Sequence, residues 1–218
     1  MRGEAIKTTV LSTRILPNAD PMLRARLGVP EGHRSLAFFT TDCDDVSYAA
    51  LDEATKKACV SVAYARSMYA GSGNASTALA GEFIGVLSAE DPAQVRSGLE
   101  AAVHYAQHEA SFYSADDSGS IIYFAHCISR TGSYLSREAG VPPGTALAYL
   151  IAPPLEAMVG LDAALKAADV VLRKFYGPPT ETNFAGGLLT GEQAACKAAC
   201  EAFADVVQEI ARRPRDDG

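Results

Sequence analysis

His126 and Cys127, followed by Arg130, Thr131 and Gly132, place a thiol and a guanidinium near each other as in a cysteine phosphatase. That chemistry needs about five residues between Cys and Arg so that backbone N–H groups can wrap a phosphate, and geometry comes before residue identity. Only Ile128 and Ser129 intervene, which excludes it. Gly71-Ser72-Gly73-Asn74 has the glycines of a phosphate loop. It lacks both the Gly-Lys-Ser/Thr ending and the third dinucleotide glycine, so it reads as a flexible loop. His104 and His108 lie one helical turn apart, with Glu100 a turn earlier, a spacing that could hold a surface metal. Without a supporting carboxylate at a fixed spacing they read as a solvated helix face, and His33 and His126 carry no ligand pattern either. Five cysteines (Cys43, Cys59, Cys127, Cys196, Cys200) are an odd number at no metal-binding spacing. Cys196 and Cys200 fall in step with Phe203, Val207 and Ile210 on one helical face, so they read as core positions and not as a redox pair.

The acidic residues are harder to set aside. Asp45 and Glu156 stand at similar places in two halves of the chain, each where a strand hands over to a helix. An acid there favours a helix N-terminus by about 0.3–1 kcal/mol. Asp44, Glu82 and Glu181 have no such explanation. An enzyme using them as acid and base would need one carboxyl buried and raised in pKa beside another kept ionised, plus a nucleophile or metal. Neither partner stands at a recognisable spacing.

The elements that position these residues come in two copies. Leu51-Asp52-Glu53-Ala54-Thr55-Lys56-Lys57-Ala58-Cys59-Val60 aligns with Leu161-Asp162-Ala163-Ala164-Leu165-Lys166-Ala167-Ala168-Asp169-Val170. Leu23-Arg24-Ala25-Arg26-Leu27-Gly28-Val29-Pro30 aligns with Leu135-Ser136-Arg137-Glu138-Ala139-Gly140-Val141-Pro142, in a register that differs by two residues. The repeat divides the chain into domains of residues 1–110 and 111–218. In each, an apolar, aromatic-rich run preceded by Pro and Gly predicts a buried strand: residues 35–39 and 147–151. A helix follows, then a strand at 60–64 or 170–172, a polar loop, a strand at 83–87 or 187–189 and a closing helix. Residues 121–125 predict one more strand, with a counterpart around Val10-Leu11 and Ile15-Leu16. The expected fold is α/β (α+β), each domain a small, mostly antiparallel sheet with helices on one face.

With 218 residues, 48% of them apolar, the chain can bury two real cores. A net charge of −7 with scattered Lys and Arg excludes a nucleic-acid partner. No apolar run reaches a membrane span and the start lacks a signal-peptide core, so a cytoplasmic protein is expected.

Asp42-Cys43-Asp44-Asp45-Val46, Tyr64-Ala65-Arg66-Ser67-Met68-Tyr69-Ala70-Gly71, Ser129-Arg130-Thr131-Gly132-Ser133-Tyr134-Leu135-Ser136, Ala152-Pro153-Pro154-Leu155-Glu156-Ala157 and Pro178-Pro179-Thr180-Glu181-Thr182-Asn183-Phe184-Ala185-Gly186 together resemble the EutL-type shell proteins of bacterial microcompartments. The resemblance covers most of the chain. It implies two tandem, circularly permuted shell domains, a homotrimer that imitates a hexamer, and no enzyme activity. Partners would be other microcompartment shell proteins and small molecules such as ethanolamine. It also implies a central pore gated by the loops around Tyr69, Gly71 and Gly73 and around Asn183 and Phe184. A narrow pore within each subunit would be lined by Asp44, Asp45, Glu82, Phe112, Glu156, Glu181 and Thr182, whose carboxylates attract protonated ethanolamine. No cofactor or metal is required; cobalamin, which some members bind near the gate, is a further expected ligand. The competing readings are a shell protein of a compartment for another substrate and the carboxylate enzyme considered above.

Overall fold

The structure is a computed structural model that describes residues 3–68, 77, 79–178 and 180–215. In chain order the first elements are β1 (Ala5–Ile6), β2 (Val10–Leu16), α1 (Pro21–Arg26), β3 (Ser35–Thr41), α2 (Asp44–Lys57), β4 (Ser61–Ser67), β5 (Phe83–Ala89) and α3 (Pro92–His108). They are followed by β6 (Phe112–Ser114), β7 (Ile122–Ile128), α4 (Ser133–Ala139), β8 (Leu147–Ala152), α5 (Pro154–Ala167), β9 (Val170–Tyr176), β10 (Ala185–Gly191) and α6 (Gln193–Arg212). The chain divides into two compact units. One comprises Thr8–Ala110 with Gly132–Leu135, the other Met1–Lys7, Ser111–Thr131 and Ser136–Gly218.

The first unit holds an antiparallel sheet in the order β2-β3-β5-β4. Its strands are the apolar runs expected from the sequence, although Val10-Leu11 and Ile15-Leu16 belong to one strand. Helices α2 and α3 pack on each other and against this sheet. Asp91 caps α3 by accepting the N–H groups of Ala93 and Gln94, and Pro92 opens the helix where no N–H is needed. Phe39, Phe83, Leu36, Leu51 and Leu87 are fully buried. The segment Gly132–Leu135 belongs here because Asp52, 1% exposed, accepts the N–H of Gly132 at 2.7 Å and of Leu135 at 2.8 Å. Thr55 Oγ1 accepts the N–H of Ser133 at 3.0 Å.

The second unit holds a sheet in the order β1-β6-β7-β8-β10-β9, again antiparallel. The two strands at one end of this sheet, β1 and β6, are too short to show a pattern in the sequence. Helices α5 and α6 pack tightly together because Gly160 admits the Phe203 ring: a Cβ on Gly160 would lie 2.7 Å from it. Cys196 and Cys200 are buried beside Phe203 and Val207, as their spacing predicts. No helix among the described residues is long and apolar enough to cross a membrane.

The two repeats agree in detail. Helices α2 and α5 both run 14 residues and end on an extended alanine, Ala58 or Ala168, followed by a Val60 or Val170 N–H donated back to that alanine. After α1 the N–H groups of Gly28 and Val29 bond to Ala25 and Arg24; after α4 those of Gly140 and Val141 bond to Arg137 and Ser136. This register corrects one sequence reading. Asp45, the second residue of α2, matches Leu155, whereas Glu156 matches the fully buried Val46.

Candidate functional site: an acidic group at the start of α2

Where β3 hands over to α2 the backbone turns sharply, and hydroxyl side chains satisfy its carbonyls. Thr41 and Ser47 both donate to the Cys43 carbonyl, at 2.8 and 2.6 Å, and their hydroxyls lie 2.7 Å apart. The first turn of α2 starts with Asp44 and Asp45 at the positive end of the helix, a placement its dipole favours. Each is only 7% exposed. Asp44 accepts the N–H of Asp45 at 2.9 Å and a hydrogen bond from Ser67. Ser67 and the Tyr48 hydroxyl are 3.0 Å apart, and the Tyr48 ring stands edge-on to Phe83.

Glu82 joins this group through the backbone. Its N–H donates to the Thr41 carbonyl and its own carbonyl accepts from Met68, each at 2.8 Å. Gly81 makes the approach possible: its φ is +63°, and a Cβ would lie 2.0 Å from the Thr41 carbonyl.

Electrostatics distinguishes these carboxyls from surface acids. Burial pushes the Asp44 carboxyl up, opposed by its bonds to Ser67 and Asp45. Burial also raises Glu82, and the neighbouring Asp44 and Asp42 carboxylates raise it further. The charges acting on Glu82 are thus of its own sign, a setting in which a bound cation lowers the energy. Asp42 itself accepts the Thr9 N–H at 2.7 Å. Tyr48, Ser67 and Asp42 are not among the site residues expected from the sequence. Tyr48 was detectable, since it lies one turn beyond Asp44 on the same helix face.

Phe112, Glu156, Glu181, Thr182, Asn183 and Phe184 lie in the other unit. Phe112 is 5% exposed in β6; its ring stacks on Phe124 at 5.3 Å and meets Phe184 edge-on at 6.0 Å. The structure thus brings together a residue expected in the subunit pore and one expected in the gate. Glu181, Thr182 and Asn183 form a turn closed by the Asn183 N–H on the Thr180 carbonyl, with Asn183 at φ 60°. The Thr180 hydroxyl donates to the Phe184 carbonyl at 2.8 Å. Glu156 is half-buried in the first turn of α5. Tyr69, Gly71 and Gly73 lie outside the described residues.

Burial raises the Cys127 thiol, the opposite of what a nucleophile needs. His104 and His108 stack at 4.8 Å on an exposed face, with Glu109 3.2 Å from His104.

No protein-family model matches the chain. Over 214 residues it is 59% identical to the bacterial microcompartment shell protein EutL of Clostridium perfringens, covering 98% of this chain and 99% of that protein. The chain belongs to the EutL family of bacterial microcompartment shell proteins. EutL of Escherichia coli is 47% identical over 211 residues, covering 97% of this chain and 96% of that protein. The crystal structure of the ethanolamine utilization protein EutL from Leptotrichia buccalis superimposes with a TM-score of 0.97 at 62% identity, covering 99% of this chain and 100% of that one. Membership in the EutL family makes the two repeats tandem shell domains and the chain a structural protein, not an enzyme. The acidic group at α2 then needs no catalytic partner.

Proposed function

We infer that three copies of the chain close into a ring imitating a hexamer, and that the acidic group at α2 lines a narrow subunit pore passing small organic cations. Two shell domains per chain support the ring, because a head-to-tail contact whose rotation closes gives a finite tile able to pack edge to edge into a layer. The observation that carries the pore is the burial of Asp44 and Asp45 beside Glu82, whose neighbours are carboxylates. Buried acids at a helix start cost stability, so a cation that neutralises them is a reason for keeping them. Glu156, Glu181 and Thr182, with Phe112, are proposed to line the matching pore surface in the second repeat. The gate of the central pore is assigned to Tyr69, Gly71 and Gly73 with Asn183 and Phe184, the last held against Phe112 in the present conformation.

Protonated ethanolamine fits this chemistry, its ammonium meeting carboxylates and its alcohol a hydroxyl such as Ser67 or Tyr48. A charge at 4 Å gains about 4 kcal/mol at an effective dielectric near 20. Conduction requires release, so the affinity is expected on the order of millimolar. Calorimetric titration with ethanolamine tests the reading. Asp44→Asn with Glu82→Gln is expected to abolish the heat of binding, added salt to weaken it, and neutral acetaldehyde to show none in either protein. Equal ethanolamine affinity in wild type and double variant would overturn the pore.

A further inference from the structure

Helix α3 carries two histidines, His104 and His108, one turn apart near its C-terminal end. Both are exposed, as are Glu100 one turn earlier and Glu109 just past the helix end. The spacing alone makes a solvated face, because a histidine that ligates a metal has its other ring nitrogen held by a carboxylate or a carbonyl. The fold supplies both kinds of support. His108 Nδ1 lies 3.0 Å from the backbone carbonyl of His104; a carbonyl only accepts, so Nδ1 is the donor. His104 Nδ1 lies 3.2 Å from Glu109 Oε1, and a carboxylate at that distance favours the N–H on the same nitrogen. Each neutral ring therefore keeps its lone pair on Nε2, and no hydrogen bond or ion pair engages either Nε2 among the described residues.

The two rings stack with centroids 4.8 Å apart and planes 25° apart. Residues four apart are neighbours on a helix face, so a small turn of these exposed side chains brings both nitrogens to the metal–imidazole bond length of about 2.0–2.1 Å from one ion. Charge favours a cation there as well. The carboxylates of Glu100 and Glu109 flank the pair, the last carbonyls of α3 present the negative end of its dipole, and no Lys or Arg occurs between Arg96 and Arg130. No group of three or more His, Cys, Asp or Glu side chains among the described residues is arranged to hold a metal, so the site is a two-histidine chelate completed by water.

We propose that His104 and His108 bind a late first-row transition-metal dication, with Glu109 as a positioning residue that holds the His104 tautomer. Imidazole selects nickel, copper and zinc, whereas magnesium and calcium prefer oxygen ligands. The site lies in the first unit, on a helix that supplies no residue of the acidic group, and needs neither the pore nor the ring.

Calorimetric titration of the purified, untagged full-length protein with Ni²⁺, in a weakly coordinating buffer near neutral pH, tests it. One ion per chain is expected, and Mg²⁺ is expected to give no heat. His104→Ala or His108→Ala leaves a lone imidazole and is expected to raise the dissociation constant about tenfold or more. Glu109→Ala is expected to raise it about tenfold, and Glu109→Gln, which keeps an acceptor oxygen, by less. All three side chains are exposed, so the fold is expected to persist, which circular dichroism verifies. In proton NMR, substoichiometric Ni²⁺ is expected to broaden the ring signals of His104 and His108 before those of His33 and His126. A wild type that takes up no Ni²⁺, histidine variants that bind it as tightly as wild type, or broadening that starts elsewhere would overturn the site and leave any uptake to groups such as the exposed Cys59 thiol. Glu109→Ala without effect would overturn the positioning role.

Discussion

Replacing Asp52 with alanine removes the acceptor of two backbone N–H groups while leaving its partners buried. A hydrogen bond to a charged group contributes about 1.5–3 kcal/mol, so the two bonds gross about 3–6 kcal/mol. Burial holds the Asp52 carboxyl above its ordinary range although Gly132 and Leu135 pull it down, so part of that gain only offsets the cost of burying the charge. The net loss expected for Asp52→Ala is about 2–4 kcal/mol, a Tm lower by roughly 5–15 °C for a chain of this size. Asp52→Asn keeps one oxygen and is expected to lose about half as much. Urea denaturation followed by circular dichroism, at a protein concentration where the wild type is monomeric, measures it. Asp162→Ala is the control: the same repeat position, exposed, with an i,i+4 partner in Lys166 worth about 0.3–0.5 kcal/mol. A loss below about 1 kcal/mol for Asp52→Ala, or equal losses at the two positions, would refute the anchoring argument.

Two further outcomes follow from the packing and charge of the fold. Gly160→Ala drives a Cβ to 2.7 Å from the Phe203 ring and is expected to cost about 1–3 kcal/mol by overpacking, read from the urea midpoint. Asp44→Asn keeps an oxygen for the Asp45 N–H and removes a buried charge, so it is expected to be more stable than wild type at neutral pH. Because the folded-state carboxyl is raised, its penalty is present above the ordinary carboxylate range and fades as pH falls through the raised value; the advantage of Asp44→Asn must therefore shrink on acidification, and one that grows would contradict the assignment.

Much of the scaffold was visible in the chain before folding. Runs such as Leu147 to Ile151 are apolar at every position because β8 is buried throughout, and the flanking Pro and Gly mark its limits. The Cys196, Cys200 and Phe203 face was readable for the same reason. Short elements were not. Helix α1 has six residues and α4 seven, less than two turns, so neither shows a period, and the pairing of Ala5 and Ile6 with Phe112 and Tyr113 depends on residues about a hundred positions away. The Asp52 anchor had no local signal either, since its partners lie 80 and 83 residues on. Of the acidic site, the Asp44-Asp45 pair was legible. Its link to Glu82 depends on the Gly81 turn against Thr41, which only tertiary structure reveals. The mismatch of Asp45 with Glu156 has a simple cause: both stand near a strand-to-helix handover, but the helical register is set by the later Leu-Asp segment.

The most direct test of the account is electron microscopy of the purified full-length protein. The account predicts hexagonal tiles with threefold symmetry, joining edge to edge into flat sheets as concentration rises. Isolated, unassociated chains at every concentration would contradict it.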